Sequence, residues 1–364
     1  MLKMKFNEIF KKPQKAESLR PFSYLTMSVG TVRKFILVMM VPQLIMLAIT
    51  KSYASLLIVL SSAVASMLSE MVFCLLSKKK MEYLSPLIQG ILTGLLIPSA
   101  YSIVEIFFVV FVSMFLGKYV FGGFARSWIN TVALSVAIAY MLNVQAFSTV
   151  AIGPEFLSNR NAALSYIQSP DFHILSADYA ITSFLNRTVF KIFGIVIPDG
   201  YISFFWDTGF QIPAFRFNFI TLLSSIVLMA LDVIDMVVPF VFTAVYLLLV
   251  RFVCPIFTGA PAFQGDMIFA LFTSGTLFST LYLLQWYGTV PITKSGKLIY
   301  ASLAGLVAFL VMGYGNSSAG YVFMILIMNL LSTLVQIFES RMARKKIQSV
   351  LNPRIQAIKE AENV

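Results

Sequence analysis

Residues 265–297 read GDMIFALFTSGTLFSTLYLLQWYGTVPITKSGK. A carboxylate, Asp266, opens a long apolar run. Thr273, Ser274, Gly275 and Thr276 interrupt that run in its first half, and it ends in a Gly-Thr-x-Pro turn followed by Lys294 and Lys297. About 20 apolar residues suffice to cross the hydrocarbon core of a bilayer, so the run reads as a membrane span. Inside lipid a small polar segment is costly unless it lines a cavity, a ligand or another helix.

The rest of the chain agrees with that reading. Soluble domains carry roughly a quarter charged residues. Here 12% of 364 residues are charged and 59% are hydrophobic, in several long apolar runs. The fold class is therefore an all-α polytopic membrane protein, with the lipid bilayer as a partner. The formal charge of +11 sits at both ends and in short loops, as the positive-inside rule expects, and does not indicate nucleic acid. The single histidine, His173, and the two cysteines, Cys74 and Cys254, cannot build a Cys/His metal centre or a cysteine–histidine catalytic pair. No metal is expected, and both cysteines read as inert core thiols. The first apolar run begins only near Phe35, which predicts no cleavable leader.

Taken in order, residues 1–34 are a basic cytoplasmic arm, with eight Lys/Arg against Glu8 and Glu17. Spans follow at about 35–50, 53–77, 84–98, 101–116 and 130–142. The second stops at Lys78, Lys79 and Lys80, and Glu70 two turns earlier either snorkels to Lys78 or Lys80 or faces a functional interior. The fourth carries Glu105 near its outer end. Residues 143–215 form a polar, weakly acidic outer segment. Further spans lie at about 217–233, 237–253, 266–286, 298–313 and 321–338. An Asp232-Val-Ile-Asp235 turn joins the first two of these, and a basic tail occupies 339–364. The expected architecture is about ten transmembrane helices, with both termini cytoplasmic, arranged as a first five-helix repeat over 35–142 and a second over 216–338. Gly90 and Gly94 mark the third span of the first group, and Thr273, Gly275 and Thr276 the third span of the second. With five spans each, the groups run in opposite directions, so the repeats are inverted and a binding site or conduit belongs at their interface. The two small-residue stretches are expected to face each other there. Buried carboxylates in a membrane are functional candidates by default, so the ion-path candidates are Glu70, Glu105, Asp232, Asp235 and Asp266.

These residues also carry a resemblance. Gly117-Lys118-x-x-Phe121-Gly122-Gly123 followed by Asn130, then Gly265-Asp266-x-x-x-Ala270-Leu271-x-Thr273-x-Gly275-Thr276-Leu277-Phe278, and then Thr289-x-Pro291-x-Thr293-x-x-Gly296-Lys297 resemble one membrane-protein family. It holds the D subunit of the Rnf ion-translocating electron-transport complex and the B subunit of the sodium-pumping NADH–quinone reductase. The likeness runs from Gly90 to about Glu339. It implies a urea-transporter-like fold of ten helices in two repeats, in a bacterial inner (cytoplasmic) membrane, with other Rnf- or Nqr-type subunits as partners. It implies electron transfer coupled to movement of Na+ or H+, and a flavin, FMN or riboflavin, near Gly94, Lys118, Gly122, Gly123, Thr273, Gly275 and Thr276. The family bonds FMN to the last threonine of a Ser/Thr-Gly/Ser-Ala-Thr motif. The nearest stretch here, 178–186, places Leu185 in that register and offers Thr182, Ser183 and, just beyond it, Thr188 instead, which argues against a covalent bond. Trp286 likewise stands where the family has an aspartate. Two other functions fit the same residues: a small-solute transporter or channel of urea-transporter-like fold, and a structural subunit without a cofactor. With neither a Rossmann fingerprint nor a P-loop, nucleotides would be handled by partners.

Overall fold

A computed structural model describes residues 27–121, 129–147, 162–167, 172–206, 209–259, 262–286, 289–313 and 317–362. Among these residues the secondary structure is entirely helical. The first group comprises α1 (Val29–Ile49), α2 (Tyr53–Ser77), α3 (Leu84–Leu96), α4 (Ile103–Met114) and α5 (Thr131–Leu142). The intervening segment holds α6 (Ala162–Ile167), α7 (Ser176–Thr188) and short 3-10 turns. The second group comprises α8 (Asn218–Ala230), α9 (Val237–Phe252), α10 (Cys254–Thr258), α11 (Met267–Thr273), α12 (Thr276–Tyr282), α13 (Lys294–Met312) and α14 (Gly320–Glu362).

Among the described residues, four stretches are long and apolar enough to cross a membrane: α1, α2, α13 and Gly320–Ser349 of α14. Several shorter helices are equally apolar, and their outward faces are apolar too. Val104, Phe108 and Val112 of α4, with Leu116 just beyond it, form an exposed stripe at a spacing of four residues. Such a surface is an aggregation hazard in water and a good contact for lipid. By contrast α3 is buried almost all round. Its 13 residues span only about 20 Å, short of the roughly 30 Å hydrocarbon core, so it depends on its neighbours.

The packing within the first group is α1 on α3, α2 on α3 and α4, and α4 on α5. In the second group α8 lies on α12, α9 on α11 and α13, and α13 on α14. Between the groups α1 meets α8 and α5 meets α14. Small residues permit the closest of these approaches. A Cβ on Gly90 would sit 2.6 Å from the Ala63 Cα and 2.8 Å from the Ser62 carbonyl. There the Ser62 hydroxyl donates to the Gly90 carbonyl at 2.8 Å, and the Ser66 hydroxyl to the Pro86 carbonyl at 2.8 Å. In α13, a Cβ on Gly305 would sit 2.9 Å from the Val245 Cβ of α9.

The helix ends separate into two sets. At one end Arg33 pairs with Glu82, Lys297 with Asp235, and Thr293 with Glu339. Lys78, Lys79 and Lys80 follow the end of α2 here, and Arg341, Arg344, Lys345 and Lys346 lie in the C-terminal part of the Gly320–Ser349 stretch, so this is the basic end. At the other end Arg216 donates to Ser52 at 2.9 Å and Ser318 to the Phe147 carbonyl at 3.2 Å.

Three details differ from the sequence reading. The first helix starts at Val29, capped by Ser28, so Arg33 and Lys34 are helical rather than part of the arm. The run at 266–286 is two helices, α11 and α12, because Gly275 adopts φ +68°. The stretches around Gly90 and Gly275 do not face each other through their glycines. Gly90 and Gly94 lie on α2, whereas Gly275 lies on the Phe215 ring.

Candidate functional site

The helix α4 continues into a π-helical turn, Phe115–Tyr119. A π turn holds more residues than an α turn, so consecutive side chains diverge less, and such turns are frequent at functional sites. Here it aims both Lys118 and Tyr119 at Glu70 of α2. Lys118 is 1% exposed and Glu70 is 7% exposed. The Lys118 ammonium donates to Glu70 Oε2 at 3.3 Å, to Ser85 Oγ at 3.2 Å and to Gln89 Oε1 at 3.0 Å. Tyr119 donates its hydroxyl to the same carboxylate oxygen, and the Cys74 thiol lies 3.6 Å from the other. Gln89 passes the network on, donating to Thr131 Oγ1 at 3.0 Å. Phe73 stacks on Tyr119 with ring centroids 4.8 Å apart and covers the pair. A charge pair in this position is costly unless well paired and hydrogen-bonded, and is a functional candidate on physical grounds.

Ser85 also lines a cavity of about 50 Å³ between the two helix groups, with Arg33, Tyr282, Gln285 and Trp286. Val233, Ile234, Gln285 and Trp286 are shared with a cleft of about 680 Å³ at the basic end, where Asp232, Asp235 and Lys297 sit. The cleft and the cavity thus share part of their lining, and Ser85 lies both on the cavity and on the Lys118 ammonium. Gln285 fixes the cleft wall, donating to the Asp235 carbonyl at 2.8 Å and accepting from its N–H at 3.0 Å. Burial works to raise the Asp235 carboxyl. Hydrogen bonds from Lys297 and the Val237 N–H outweigh it and hold the carboxyl below the usual range.

The other carboxylates expected on an ion path lie elsewhere. Glu105 and Asp232 are exposed, at the first turn of α4 and just after α8. Asp266 is the N-cap of α11, accepting from the Ile268 and Phe269 N–H groups at 2.9 Å each and from the Tyr201 hydroxyl at 2.6 Å. Burial, then the Asp266 charge, push the Tyr201 hydroxyl up. Of the five candidates, only Glu70 enters a buried charge network with a lysine. Its partner is Lys118, not Lys78 or Lys80.

The residues expected near a flavin are dispersed. Thr182 is buried and donates to Asp178 at 2.8 Å, Ser183 is exposed, and Thr188 is exposed with its hydroxyl on the Phe184 carbonyl at 2.7 Å. Gly94 is packed on Val59 and Ser62 of α2. The hydroxyls of Thr273 and Ser274 return to carbonyls of their own helix at 2.7 Å each, and Thr276 bonds to Ser274. Gly122 and Gly123 lie outside the described residues. These described residues do not assemble one flavin cradle.

Several site residues escape sequence reading. Ser85, Gln89 and Thr131 are ordinary in apolar spans, and Tyr119 looks like an interfacial aromatic. Cys74, four residues after Glu70, is the one local signal. Asn130 is a cap that also reaches across the molecule. It accepts from Val132 and Ala133 N–H groups at 3.0 and 3.2 Å and donates to the Leu283 carbonyl of the second group at 3.2 Å.

Comparison with known proteins bears on the whole fold. Residues 17–344 match the NQR2, RnfD, RnfE family. Over 75 residues the chain is 33% identical to the D subunit of an ion-translocating oxidoreductase complex from Stutzerimonas stutzeri, an alignment covering 21% of each protein. With apolar helices of crossing length and a family match over most of its residues, this chain is an integral membrane protein and belongs to the NQR2, RnfD, RnfE family.

Proposed function

We propose that this chain is a membrane subunit of an ion-translocating oxidoreductase complex of Rnf or Nqr type, in which Na+ or H+ crosses the membrane as electrons pass between subunits. The observation that carries the reading is the family match over residues 17–344. The intramembrane Glu70–Lys118 pair, beside a small cavity that Ser85 also lines, supports the ion-translocating part. Ten spans in two inverted repeats fit the packing. First on third, second on fourth and fourth on fifth recur in both groups, and first meets first and fifth meets fifth between them. A pseudo-two-fold axis between the groups would give this pattern, and with five spans in each group that axis would lie in the membrane plane. In this reading the basic end and both termini face the cytoplasm, as the positive-inside rule expects of such a charge distribution, and the membrane is a bacterial inner membrane. Tagged chain purified from its native membrane in mild detergent is expected to carry flavin- and iron–sulfur-bearing subunits. Recovery of the chain alone, with no loss of redox-driven ion transport when it is deleted, overturns the reading.

The described residues expected near FMN or riboflavin do not converge. The proposal is that any flavin bound by this chain is not esterified to α7, where Leu185 occupies the family's threonine register and Thr182 is committed to Asp178. The denatured band should show no flavin fluorescence under ultraviolet light, with flavin from the complex recovered in the acid supernatant. A fluorescent band at this chain's mass would refute it.

A further inference from the structure

The chain from α7 to its return turn shows apolar residues to the outside. Ile181 and Phe184 on α7, then Val189, Ile192, Ile195 and Val196 beyond it, are all exposed, Ile192 and Val196 at 79% each. Single exposed apolar side chains are ordinary, but a run of them in one short stretch marks an interaction surface. The stretch is fastened on its other side. Asn186 donates to the Ile197 carbonyl at 2.8 Å and accepts from the Ile197 N–H at 2.9 Å, which closes a loop around the 3-10 turn Phe190–Phe193. Further along, Phe172, Tyr201 and Phe204 share a small core with Phe269 and Phe272 of α11. One side of the segment is docked and the other is bare.

Height and charge indicate what covers the bare side. The Tyr201 hydroxyl donates to Asp266, the N-cap of α11, at 2.6 Å. α9 crosses from Asp235 at the basic end before α11 begins, so Asp266 marks the level at which the run 266–286 enters the bilayer from the opposite face. The loop is tied to the bundle at that level. Residues 179–198 contain no acidic residue, and their only charges, Arg187 and Lys191, are both exposed. Lys191 lies between Phe190 and Ile192. Lysine is depleted at protein–protein interfaces. Apolar residues interleaved with Lys and Arg instead make up segments that lie in a bilayer surface, where the long basic stems snorkel to the headgroups.

We propose that α7 and the loop 187–196 form an interfacial anchor in the leaflet opposite the basic end. Ile181, Phe184, Val189, Ile192, Ile195 and Val196 dip into the boundary of the acyl chains, and Arg187 and Lys191 pair with the phosphates of anionic phospholipids. The anchor presses the segment held together by Asp178 against the membrane edge. The proposal rests on the chain being an integral membrane protein and is independent of its part in ion translocation.

The experiment uses the full chain in nanodiscs, with Ile192→Cys or Val196→Cys carrying a small environment-sensitive fluorophore. Both native cysteines are buried, and wild type taken through the same labelling gives the background. The two labelled positions are exposed, so the fold tolerates them, and an unchanged thermal midpoint verifies this. Nitroxides on lipid acyl chains should quench both labels, and aqueous iodide should not. A label on Lys345→Cys, exposed at the basic end, should behave the other way round. With phosphatidylglycerol in the disc, Lys191→Ser should shift the balance of lipid-exposed and water-exposed label about fivefold toward water. Without phosphatidylglycerol the balance should stay as it is, and an equal shift in both lipids would overturn the pairing with anionic headgroups. Labels open to iodide and untouched by the nitroxide would overturn the anchor. So would self-quenching between labels that vanishes with one chain per disc, which marks a second copy as the occupant. So would labels open to iodide in the chain alone but closed to both quenchers when accompanying subunits are retained, which marks a partner protein.

Discussion

Gly275→Leu should unfold the contact between α11, α12 and the segment before α8 and lower stability by roughly 2–5 kcal/mol. Two effects add. Gly275 has φ +68°, a left-handed conformation that costs a non-glycine residue about 1–2 kcal/mol. Its absent side chain is also where Phe215 packs, since a Cβ there would overlap the phenyl ring. Overpacking of a tight core costs roughly 1–3 kcal/mol. Phe215→Leu, by thinning the ring, should recover part of the second cost and none of the first. A double-mutant cycle read by thermal denaturation in detergent checks this. A Gly275→Leu protein with the wild-type midpoint would show that neither effect operates. The consequence reaches beyond the break, because Phe215 also contacts Tyr321 of α14, with ring centroids 5.9 Å apart.

Asp178→Ala should release the segment 172–206 while leaving the long helices folded. Asp178 is 0% exposed and accepts four hydrogen bonds. They come from Thr182 Oγ1 at 2.8 Å, the Gly200 N–H at 2.9 Å, and the Ser203 N–H and hydroxyl at 2.7 Å each. Ser203 in turn accepts the Leu175 N–H at 3.0 Å. One carboxylate therefore ties the start of α7 to the turn 200–203. Each buried donor left without a partner costs about 1–3 kcal/mol, and water entering the gap offsets part of it, leaving roughly 3–5 kcal/mol for the segment. Limited proteolysis should cut within 172–206 much faster than in wild type, and Gly200 and Ser203 amides should lose hydrogen-exchange protection. Unchanged protection at both amides would contradict the account. Because Thr182 is part of this knot, freeing its hydroxyl for any covalent chemistry also loosens the knot.

The helices are largely legible from the chain. Tyr53–Ser77 coincides with the expected second span, since Lys51 and Ser52 bracket its start and three lysines follow its end. The start of α1 is not legible, because Arg33 and Lys34 look like a loop signal. Inside the fold Arg33 is a buried helical residue paired with Glu82 of the connection before α3, so its charge is matched. The break at Gly275 is marked by its composition, yet the partner expected for it, the Gly90–Gly94 stretch, is not the one it meets. A glycine announces that something comes close without saying what.

The site is half visible in the sequence. Glu70 and Lys118 each stand out as charges in apolar surroundings, one as an ion-path candidate and the other as a flavin neighbour. They are 48 residues apart, on α2 and the π turn after α4, and local patterning carries no term that joins such positions. Nearby lysines at 78 and 80 look like the natural partners. Lys78, however, is the left-handed C-cap of α2, past the helix face that Glu70 presents to α3 and α4.

By itself, then, the sequence determined the solvent: apolar runs, few charges and lysines at one set of helix ends dictate a membrane protein and a family. It also marked close approaches, at Gly90, Gly94 and Gly275. Only the tertiary structure decided which groups meet at those approaches. Glu70 meets Lys118, Asn130 meets the Leu283 carbonyl, and Gly275 meets Phe215. The physical reason is that hydropathy is summed along the chain, whereas an ion pair or a ring contact depends on distances between segments that only packing brings together.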